Sequence, residues 1–204
     1  MSEHYVITIS RQFGSLGRPI AQKAASMLGI YFMDRDIVEE TSKRMGLLAS
    51  EIGDREETAK RNAYYYMKFP LGIAPQSIED EIFQVQSSII RDCAARQDCI
   101  IVGRCAEYVL REKKRRLSFY IRAPYEARLN NCVEQLHLKS SEAERMIHDV
   151  DLARARYRRR YVKNLEGISE YTDCDIVLDS YRFGVDKTAE LIVSSAKTIL
   201  GDLS

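Results

Sequence analysis

The stretch Tyr5-Val-Ile-Thr-Ile-Ser-Arg-Gln-Phe-Gly-Ser-Leu-Gly-Arg-Pro-Ile20 decides the fold. Its apolar start predicts a buried strand and its glycine-bearing centre predicts a turn. Ile20, Ala24 and Leu28 then recur at helical spacing up to Gly29. A strand that enters a helix through such a turn gathers backbone N–H groups and the positive end of a helix dipole at one spot. The sequence therefore predicts a phosphate site, and a bound nucleotide is the first hypothesis.

The turn differs from the phosphate-loop pattern G-x-x-x-x-G-K-[ST] at most of its fixed positions. In the best register Gly17 matches the second glycine, and Gln12 stands at the first. Arg18 replaces the lysine with a planar fork of donors, and Pro19 replaces the residue whose hydroxyl binds magnesium. Proline suits the first turn of a helix because its missing N–H is not needed there. The pattern predicts a phosphate loop with altered chemistry, and a plain strand-to-helix turn is the alternative for this segment alone.

Composition limits the classes of protein. The 204 residues carry 31 Lys plus Arg against 30 Asp plus Glu, which argues against nucleic acid or an anionic membrane as a partner. No apolar run approaches the roughly 20 residues of a membrane helix. Five cysteines without C-x-x-C spacing and three histidines without H-x-x-x-H favour reduced thiols and predict no metal site built from protein ligands. We expect one cytoplasmic domain over residues 1–204, and the sequence leaves its oligomeric state open.

Short apolar segments alternate with longer helical ones along the chain. Five candidate strands separated by helices predict an α/β fold with three layers, in which a mostly parallel sheet is covered by helices on both faces. Ligands in such sheets bind beyond the carboxyl ends of the strands, where polar residues follow each apolar run. After the first strand the candidates are Ile30–Met33, Cys99–Val102, Leu117–Ile121 and Asp175–Leu178.

The helices have limits that can be predicted from apolar spacing and capping residues. An apolar stripe predicts a helix from Ser77 to about Ala95, and Pro124 begins another. Ser141-x-x-Glu144 has the spacing of a capping box for a long helix that continues to about Lys163. A last helix has one apolar face over residues 189–200. The less regular stretch 54–76 is interpreted as an insertion over the cleft.

A run of arginines between positions 154 and 163 is the densest cluster of charge. At helical spacing it puts one set of side chains on a single face, where positive charge could close over phosphates and stabilise a migrating phosphoryl group. The alternative is a solvated helix whose arginines pair with nearby carboxylates, and RNA binding is a third option that the neutral net charge argues against. The shared face carries Arg154, Tyr157, Arg158 and Tyr161, a second face carries Arg156, Arg159 and Lys163, and the nearby carboxylates are Glu142, Glu144, Asp149 and Asp151.

Five segments carry a further signal: Ile7-Thr-Ile-Ser-Arg-Gln-Phe-Gly-Ser-Leu-Gly-Arg18, Tyr31-Phe-Met-Asp-Arg-Asp36, Ile100-Ile-Val-Gly-Arg-Cys-Ala106, Arg154-Ala-Arg-Tyr157 and Cys174-Asp-Ile-Val-Leu-Asp-Ser180. With them the sequence resembles the cytidylate kinase-like proteins, a branch of the P-loop nucleoside monophosphate kinases. The resemblance implies a three-layer P-loop kinase fold, a helical insertion over residues 37–96 that binds the acceptor, and an arginine-rich lid over residues 138–170. It also implies transfer of the ATP γ-phosphate to a nucleotide such as CMP, with Mg²⁺ held through nucleotide phosphates and water.

The resemblance implies roles for single residues. Arg18, Arg154 and Arg158 would be catalytic. Asp34, Gln86 and Arg104 would face the acceptor, with Arg104 holding its phosphate by a bidentate contact. The residues that would bind the phosphates of ATP are Arg11, Gln12, Gly14, Ser15, Leu16, Gly17, Arg18 and Pro19.

Alternatives remain for several of these assignments. Asp34 could cap the helix that follows it, and Gln86 could be an amide on a helix surface. Because Pro19 has no hydroxyl, Mg²⁺ would need ATP oxygens, water and a carboxylate such as Asp179. At the level of function the alternatives are a nucleotide sensor without catalysis, which closes on its ligand and presents a changed surface, and a kinase of another small metabolite.

Overall fold

A parallel sheet of five strands forms the centre of the protein. The computed structural model describes residues 4–46, 76–162 and 174–201. Within them the strands lie in the order β2-β3-β1-β4-β5, and every pair of neighbours runs parallel. This arrangement confirms the predicted α/β class and its five strands. The strands are β1 (Val6–Arg11), β2 (Tyr31–Met33), β3 (Cys99–Val102), β4 (Arg116–Arg122) and β5 (Ile176–Asp179).

Helices pack on both faces of this sheet. Alternate side chains of β1, including Ile7 and Ile9, pack against the first and last helices, while Val6 faces a second apolar cluster on the other side. This alternation produces the predicted three layers, because successive side chains of a strand point to opposite faces. The helices are α1 (Gly17–Leu28), α2 (Asp36–Met45), α3 (Gln76–Arg96), α4 (Ala106–Val109), α5 (Tyr125–Leu136), α6 (Ser140–Tyr161) and α7 (Ser180–Leu200).

A third apolar cluster anchors the turn that follows β1. The Phe13 ring is buried against Cys132 of α5 and against Met146 and Val150 of α6. The buried ring attaches the turn to two helices that come more than a hundred residues later in the chain. The helices α5 and α6 therefore help to determine the position of the turn.

The long helix α6 begins differently from the prediction. The predicted capping box is wrong, because Ser141 lies inside α6 and the cap position is Lys139, whose side chain makes no capping bond. The Ser140 hydroxyl instead donates to the Glu144 carboxylate at 3.4 Å. The helix ends at Tyr161, and the predicted end at Lys163 falls outside the described residues.

Two predicted regions overlap the described helices only in part. Helices α2 and α3 stand at the two ends of the predicted insertion 37–96, and the stretch 54–75 lies outside the described residues. Helix α6 covers most of the predicted lid 138–170. Its buried side chains pack in the second and third apolar clusters. The boundaries of the insertion and the lid stay predictions.

Candidate phosphate-binding site

A cavity of about 550 Å³ lies beyond the carboxyl ends of β1, β2 and β3. Six arginines and three carboxylates line it, and no lysine does so among the residues that the structure describes. The excess of guanidinium groups makes the cavity suited to an anion. The charged residues of the lining are Arg11, Arg18, Arg35, Arg104, Arg154, Arg158, Asp34, Glu107 and Asp151.

The turn after β1 forms a closed loop at one wall of this cavity. The Ser15 N–H and hydroxyl both donate to the Gln12 carbonyl, at 3.4 and 2.9 Å. The Gln12 side-chain oxygen accepts from the Ala123 N–H at 3.1 Å, next to the end of β4. Gln12, which replaces the first glycine of the usual pattern, therefore ties the loop to a neighbouring strand. Residues 12–19, which we call the phosphate loop, end in the first turn of α1.

Two glycines of the phosphate loop make close approaches. Gly14 has φ +75°, and an added Cβ would lie 2.7 Å from the Arg128 carbonyl oxygen. A Cβ on Gly17 would lie 2.7 Å from Cβ of Arg11. Leu16, the cap residue of α1, has φ 58° without being glycine. A side chain at Gly14 or Gly17 would therefore collide with Arg128 or Arg11, so both positions require glycine for the loop to pack in this way.

The start of α1 supplies main-chain donors to the cavity. The first N–H groups of a helix have no partner within the helix, and the helix dipole makes this end positive. The first bond of the helix runs from the Ile20 N–H to the Leu16 carbonyl at 3.1 Å. Pro19 lies in this first turn, as predicted, and has no N–H to leave unpaired. Gly17 and Arg18 are the residues whose amides remain for an anion at this end.

Arg11 reaches from the end of β1 to the end of β2. Its guanidinium passes beside Gly103, where an added Cβ would collide with it, and one Nη lies 3.8 Å from Asp34. The Arg18 Nε lies 2.6 Å from the other oxygen of the same carboxylate. The Arg11 Nε is buried and has no hydrogen-bond partner among the described residues. Two guanidiniums thus share one carboxylate, and the Arg11 Nε stays buried without a hydrogen bond from the described residues.

The positive charges of the cavity arginines lie close to one another. Burial lowers the pKa of Arg11, and Arg104 and Arg18 lower it further, against the opposing effect of Asp34. Burial and the charge of Arg11 lower the pKa of Arg154 to about 9. Since arginine keeps its proton in proteins, these shifts mean that the folded protein holds unfavourable positive charge. An anion in the cavity would relieve it.

Helix α6 brings two of the predicted arginines to the cavity. The Arg154 guanidinium donates to the Arg11 carbonyl at 2.9 Å. Arg158 donates to a Glu107 carboxylate oxygen at 2.7 Å, and the other oxygen accepts from the Ser10 hydroxyl at 3.2 Å. Glu107 is 3% exposed, so this ion pair is buried. The first of these contacts fixes α6 to the end of β1.

Arg104 follows β3 in an unusual backbone conformation. Gly103, Arg104 and Cys105 have φ values of 78°, 56° and 53°. Three successive residues in the left-handed region turn the chain sharply, which is uncommon for residues other than glycine. Arg104 lines the cavity at this turn. Such local strain is most often found at functional sites, where surrounding contacts maintain it.

The cavity gathers most of the predicted site residues. Ser15 does not line it; it is buried, and its carbonyl accepts from the Ser180 hydroxyl at 2.7 Å. Gln86 does not line it either. The predicted residues that do so are Arg11, Gln12, Gly14, Leu16, Gly17, Arg18, Pro19, Asp34, Arg104, Arg154 and Arg158.

Gln86 lies behind the cavity wall. It is 1% exposed, and its side-chain oxygen accepts from the Tyr157 hydroxyl at 3.0 Å. Tyr157 lines the cavity, and its ring packs edge-on against Phe83 of α3. The alternative of a surface amide is therefore wrong. Within the part of the chain that the structure describes, Gln86 contacts the cavity lining through Tyr157.

Two further carboxylates have functions that the sequence did not settle. Asp34 does not cap α2, whose cap position is Arg35, so that alternative is wrong. Asp179 caps α7 by accepting from the N–H groups of Tyr181 and Arg182 at 3.1 and 3.3 Å. Within the described residues Asp179 is not part of the cavity lining.

Sequence reasoning missed three charged residues that contact the site. Glu107 lies a few residues after Gly103-Arg104, and this position was the sequence feature that could have marked it as a site residue. Asp151 lies one helical turn before Arg154, and the sequence suggested for it only a surface ion pair. Nothing in the sequence marked Arg128 as a contact of the phosphate loop.

Comparison with solved structures places this fold among the P-loop kinases. The chain is similar to a protein from Eubacterium ventriosum, with 21% identity, a TM-score of 0.71, and coverage of 96% of this chain and 99% of that chain. It is similar to a shikimate kinase from Bacteroides thetaiotaomicron, with 10% identity, a TM-score of 0.54, and coverage of 95% and 98%. A shikimate kinase from Acinetobacter baumannii in complex with shikimate has 13% identity, a TM-score of 0.52, and coverage of 96% and 94%. At these identities the likeness concerns the fold alone.

The central strand β1, followed by the phosphate loop and α1 at the carboxyl ends of a parallel sheet, defines the class as a P-loop kinase fold. The chain belongs to the cytidylate kinase-like family, whose model matches residues 6–182. A comparison with curated protein sequences finds no significant match. Family and fold together support a phosphotransferase that binds nucleotides. Among the described helices, none has the length and apolar character needed to cross a membrane.

Proposed function

We propose that this protein transfers the γ-phosphate of ATP to a nucleoside monophosphate, with CMP as the first acceptor to test. The observation that carries the proposal is the convergence, in one cavity, of the phosphate loop, the arginines of α6 and the strained turn at Arg104. A phosphoryl group in transfer carries charge on its equatorial oxygens, which positioned cations and main-chain amides stabilise. The composition of the cavity fits this requirement.

The donor phosphates fit the phosphate loop. Gly14, Gly17 and Arg18 line the cavity, and the first N–H groups of α1 have no partner within the helix. Arg11 lines the cavity beside the loop, and its guanidinium would attract the negative charge of a phosphate there. Arg18, whose side chain is 46% exposed, can exchange its ion pair with Asp34 for a contact to the triphosphate.

The acceptor fits between the ends of β2 and β3. Arg104 offers two parallel donors to a monophosphate, and Asp34 can accept a hydrogen bond from a donor group of the acceptor. A phosphate acceptor already carries a nucleophilic oxygen, so no strong general base is required. The protein groups then act mainly by holding the two substrates in line and by neutralising charge.

In this proposal magnesium is held through nucleotide oxygens and water. Among the described residues no group of three metal-ligating side chains comes together. Asp34, Glu107 and Asp151 are each within ion-pair distance of an arginine. When bound with ATP, Mg²⁺ would neutralise part of the negative charge of the phosphates. Arg154 and Arg158 would supply the remaining positive charge from the side of α6.

The test is ATP-dependent phosphorylation of CMP, dCMP, UMP, AMP and other small acceptors in the presence of magnesium. Turnover of CMP, or of another nucleoside monophosphate, supports the proposal. Tight ATP binding without turnover of any acceptor would favour the alternative of a sensor. Turnover of an acceptor that is not a nucleotide would instead identify a kinase of another metabolite.

Arginine variants test whether turnover belongs to this cavity. Arg18→Ala is expected to lower the rate on the order of 10² to 10³-fold, as does removal of other preorganised charge stabilisers. Arg18→Lys should retain part of the activity, because the charge remains without the planar fork. Arg91→Ala is the matched control, since Arg91 is exposed on α3 and does not line the cavity. A near-normal rate in the Arg18→Ala variant would defeat the assignment of Arg18.

A further inference from the structure

Both main-chain polar groups of Phe13 are bonded to an ion pair that joins α5 to α6. The Phe13 N–H donates to one oxygen of Asp151 at 2.8 Å, and its carbonyl accepts from the Arg128 guanidinium at 3.2 Å. The same guanidinium donates to the other oxygen of Asp151 at 2.5 Å. We propose that Asp151 and Arg128 are positioning residues, which together form a clamp that holds the phosphate loop in its binding shape. This proposal rests on the proposed function of that loop as a nucleotide site.

Burial makes the clamp stiff. The side chains of Arg128 and Asp151 are 10% and 25% exposed. The ring of Phe13 is buried in the third apolar cluster. A buried ion pair is costly to separate, because each charge would be left without a partner in a poorly solvated place. The two helices can therefore not release Phe13 at low cost.

The adjacent residue of the loop is held from the same helix. The Asn131 side-chain amide, on α5, donates to the Gly14 carbonyl at 2.8 Å. The added Cβ at Gly14 would collide with the backbone of Arg128, so the loop and α5 are in direct contact. Residues of α5 thus hold the carbonyls of two successive loop residues, and α6 holds one N–H.

The clamp adds to the bonds that Gln12 and Ser15 make within the loop and to β4, because two features of the loop sequence disfavour its shape. Glycine is replaced by Gln12 at the first fixed position, and Leu16 adopts a left-handed conformation that disfavours side chains. The Asp151 carboxylate also occupies the Phe13 amide, so a bound phosphate is restricted to the amides that follow. Arg128 neutralises the carboxylate, which would otherwise repel the ligand.

A charge-swapped double variant separates this clamp from a simple bridge between helices. Arg128→Asp combined with Asp151→Arg keeps opposite charges on α5 and α6. It places a donor against the Phe13 N–H and an acceptor against its carbonyl, so neither loop contact can form. A bridge between helices would survive the exchange, whereas the clamp would not. Asp151→Asn is the conservative partner, since it keeps an acceptor oxygen for the Phe13 N–H.

Two readouts are needed: the affinity for ATP, and hydrogen exchange of the Phe13 amide followed by NMR without nucleotide. Asp151→Ala and the swapped variant should each weaken ATP binding about tenfold or more, the effect of losing a hydrogen bond to a charged group. Both should expose the Phe13 amide to exchange, while Asp151→Asn keeps most of its protection. Asp92→Ala is the control, because it removes the ion pair with Arg44 that joins α2 to α3 at 3.1 Å without contacting the loop.

The outcomes separate the clamp from the proposed function. Wild-type ATP affinity and Phe13 protection in the swapped variant would overturn the clamp, even where that protein transfers phosphate normally. If wild type binds no ATP, the proposed function fails, and the exchange of the Phe13 amide alone decides the clamp. If the swapped variant does not fold, the difference between Asp151→Asn and Asp151→Ala decides it, and equal protection in these two variants would overturn it.

Discussion

Gly103 determines where the side chain of Arg11 can lie. Arg11 ends β1, and Asp34 directly follows β2, yet β3 separates these two strands in the sheet. The Arg11 guanidinium must cross the end of β3 to approach Asp34, and it does so over Gly103. Any side chain at this position would occupy the path. The glycine is therefore required for space as well as for its positive φ.

Gly103→Ala should destabilise the protein and weaken anion binding. The left-handed conformation costs an alanine about 1–2 kcal/mol, and the new methyl displaces the Arg11 guanidinium. We expect ATP affinity to fall about tenfold, in line with the loss of a hydrogen bond to a charged group. Urea denaturation and a titration with ATP measure the two effects.

Gly29→Ala is the matched control for this change. Gly29 also has a positive φ, 65°, but nothing lies within 4 Å of the position that a Cβ would take. It should show a similar loss of stability with unchanged ATP affinity. Equal ATP affinity in the two variants would show that the path over Gly103 has no importance for the site.

For single residues, the sequence predicted several members of the site. It did not predict the contacts that those residues make. The glycine-bearing turn and the arginine after β3 were visible as local patterns. The contacts of Phe13 were not, because Asp151 and Arg128 lie 138 and 115 positions away. The shared use of Asp34 by two arginines depends on the order of the strands, which local patterns do not contain.

In helix α7 the residue Asp179 acts as a cap, although its chemistry and position suggest a metal ligand. Asp179 ends β5 at the edge where ligands bind, so a role in holding magnesium was a reasonable expectation. Its side chain instead accepts from two N–H groups at the start of α7. Those groups have no partner within the helix, and a carboxylate there is also favoured by the helix dipole.

Asp179→Ala should therefore cost stability and leave the magnesium dependence unchanged. Loss of a capping side chain typically costs about 1 kcal/mol, and Asp179→Asn should restore most of it because an amide oxygen can cap as well. Thermal unfolding gives the first quantity, and activity against magnesium concentration gives the second. A folded Asp179→Asn variant that needs far more magnesium would instead identify the carboxylate as a metal ligand.

The elements themselves were largely predictable because their signals are periodic and local. The helix predicted from Ser77 to about Ala95 occurs as Gln76–Arg96, since its apolar stripe repeats over many turns. The start of α6 was not predicted correctly. The capping pattern at Ser141 competes with a contact between Ser140 and Glu144. A helix cap depends on one side-chain contact. A sequence pattern therefore predicts a cap less reliably than it predicts a helix with a repeated apolar face.

Taken as a whole, the molecule holds more positive charge in its cavity than its own carboxylates compensate. Arg11 and Arg154 are only 19% and 26% exposed, and their pKa values are lowered by burial and by like charge. The total net charge of +1 gives no sign of this concentration. This concentration of positive charge arises from the fold, which collects arginines from distant parts of the chain.

This crowding predicts that a bound anion stabilises the protein and that removing one positive charge does not destabilise the protein when no ligand is bound. ATP at a hundred times its dissociation constant should add about 2.7 kcal/mol to the free energy of unfolding. For a domain of this size that corresponds to a rise in melting temperature of roughly 5–10 °C.

Arg11→Met should leave the unliganded protein as stable as wild type or more stable, because Arg18 still pairs with Asp34. The same variant should lose most of the rise with ATP, which differential scanning calorimetry with and without nucleotide measures. If Arg11→Met melts well below wild type without ligand and keeps the full rise with ATP, the buried guanidinium is a structural support and not a receptor for the anion.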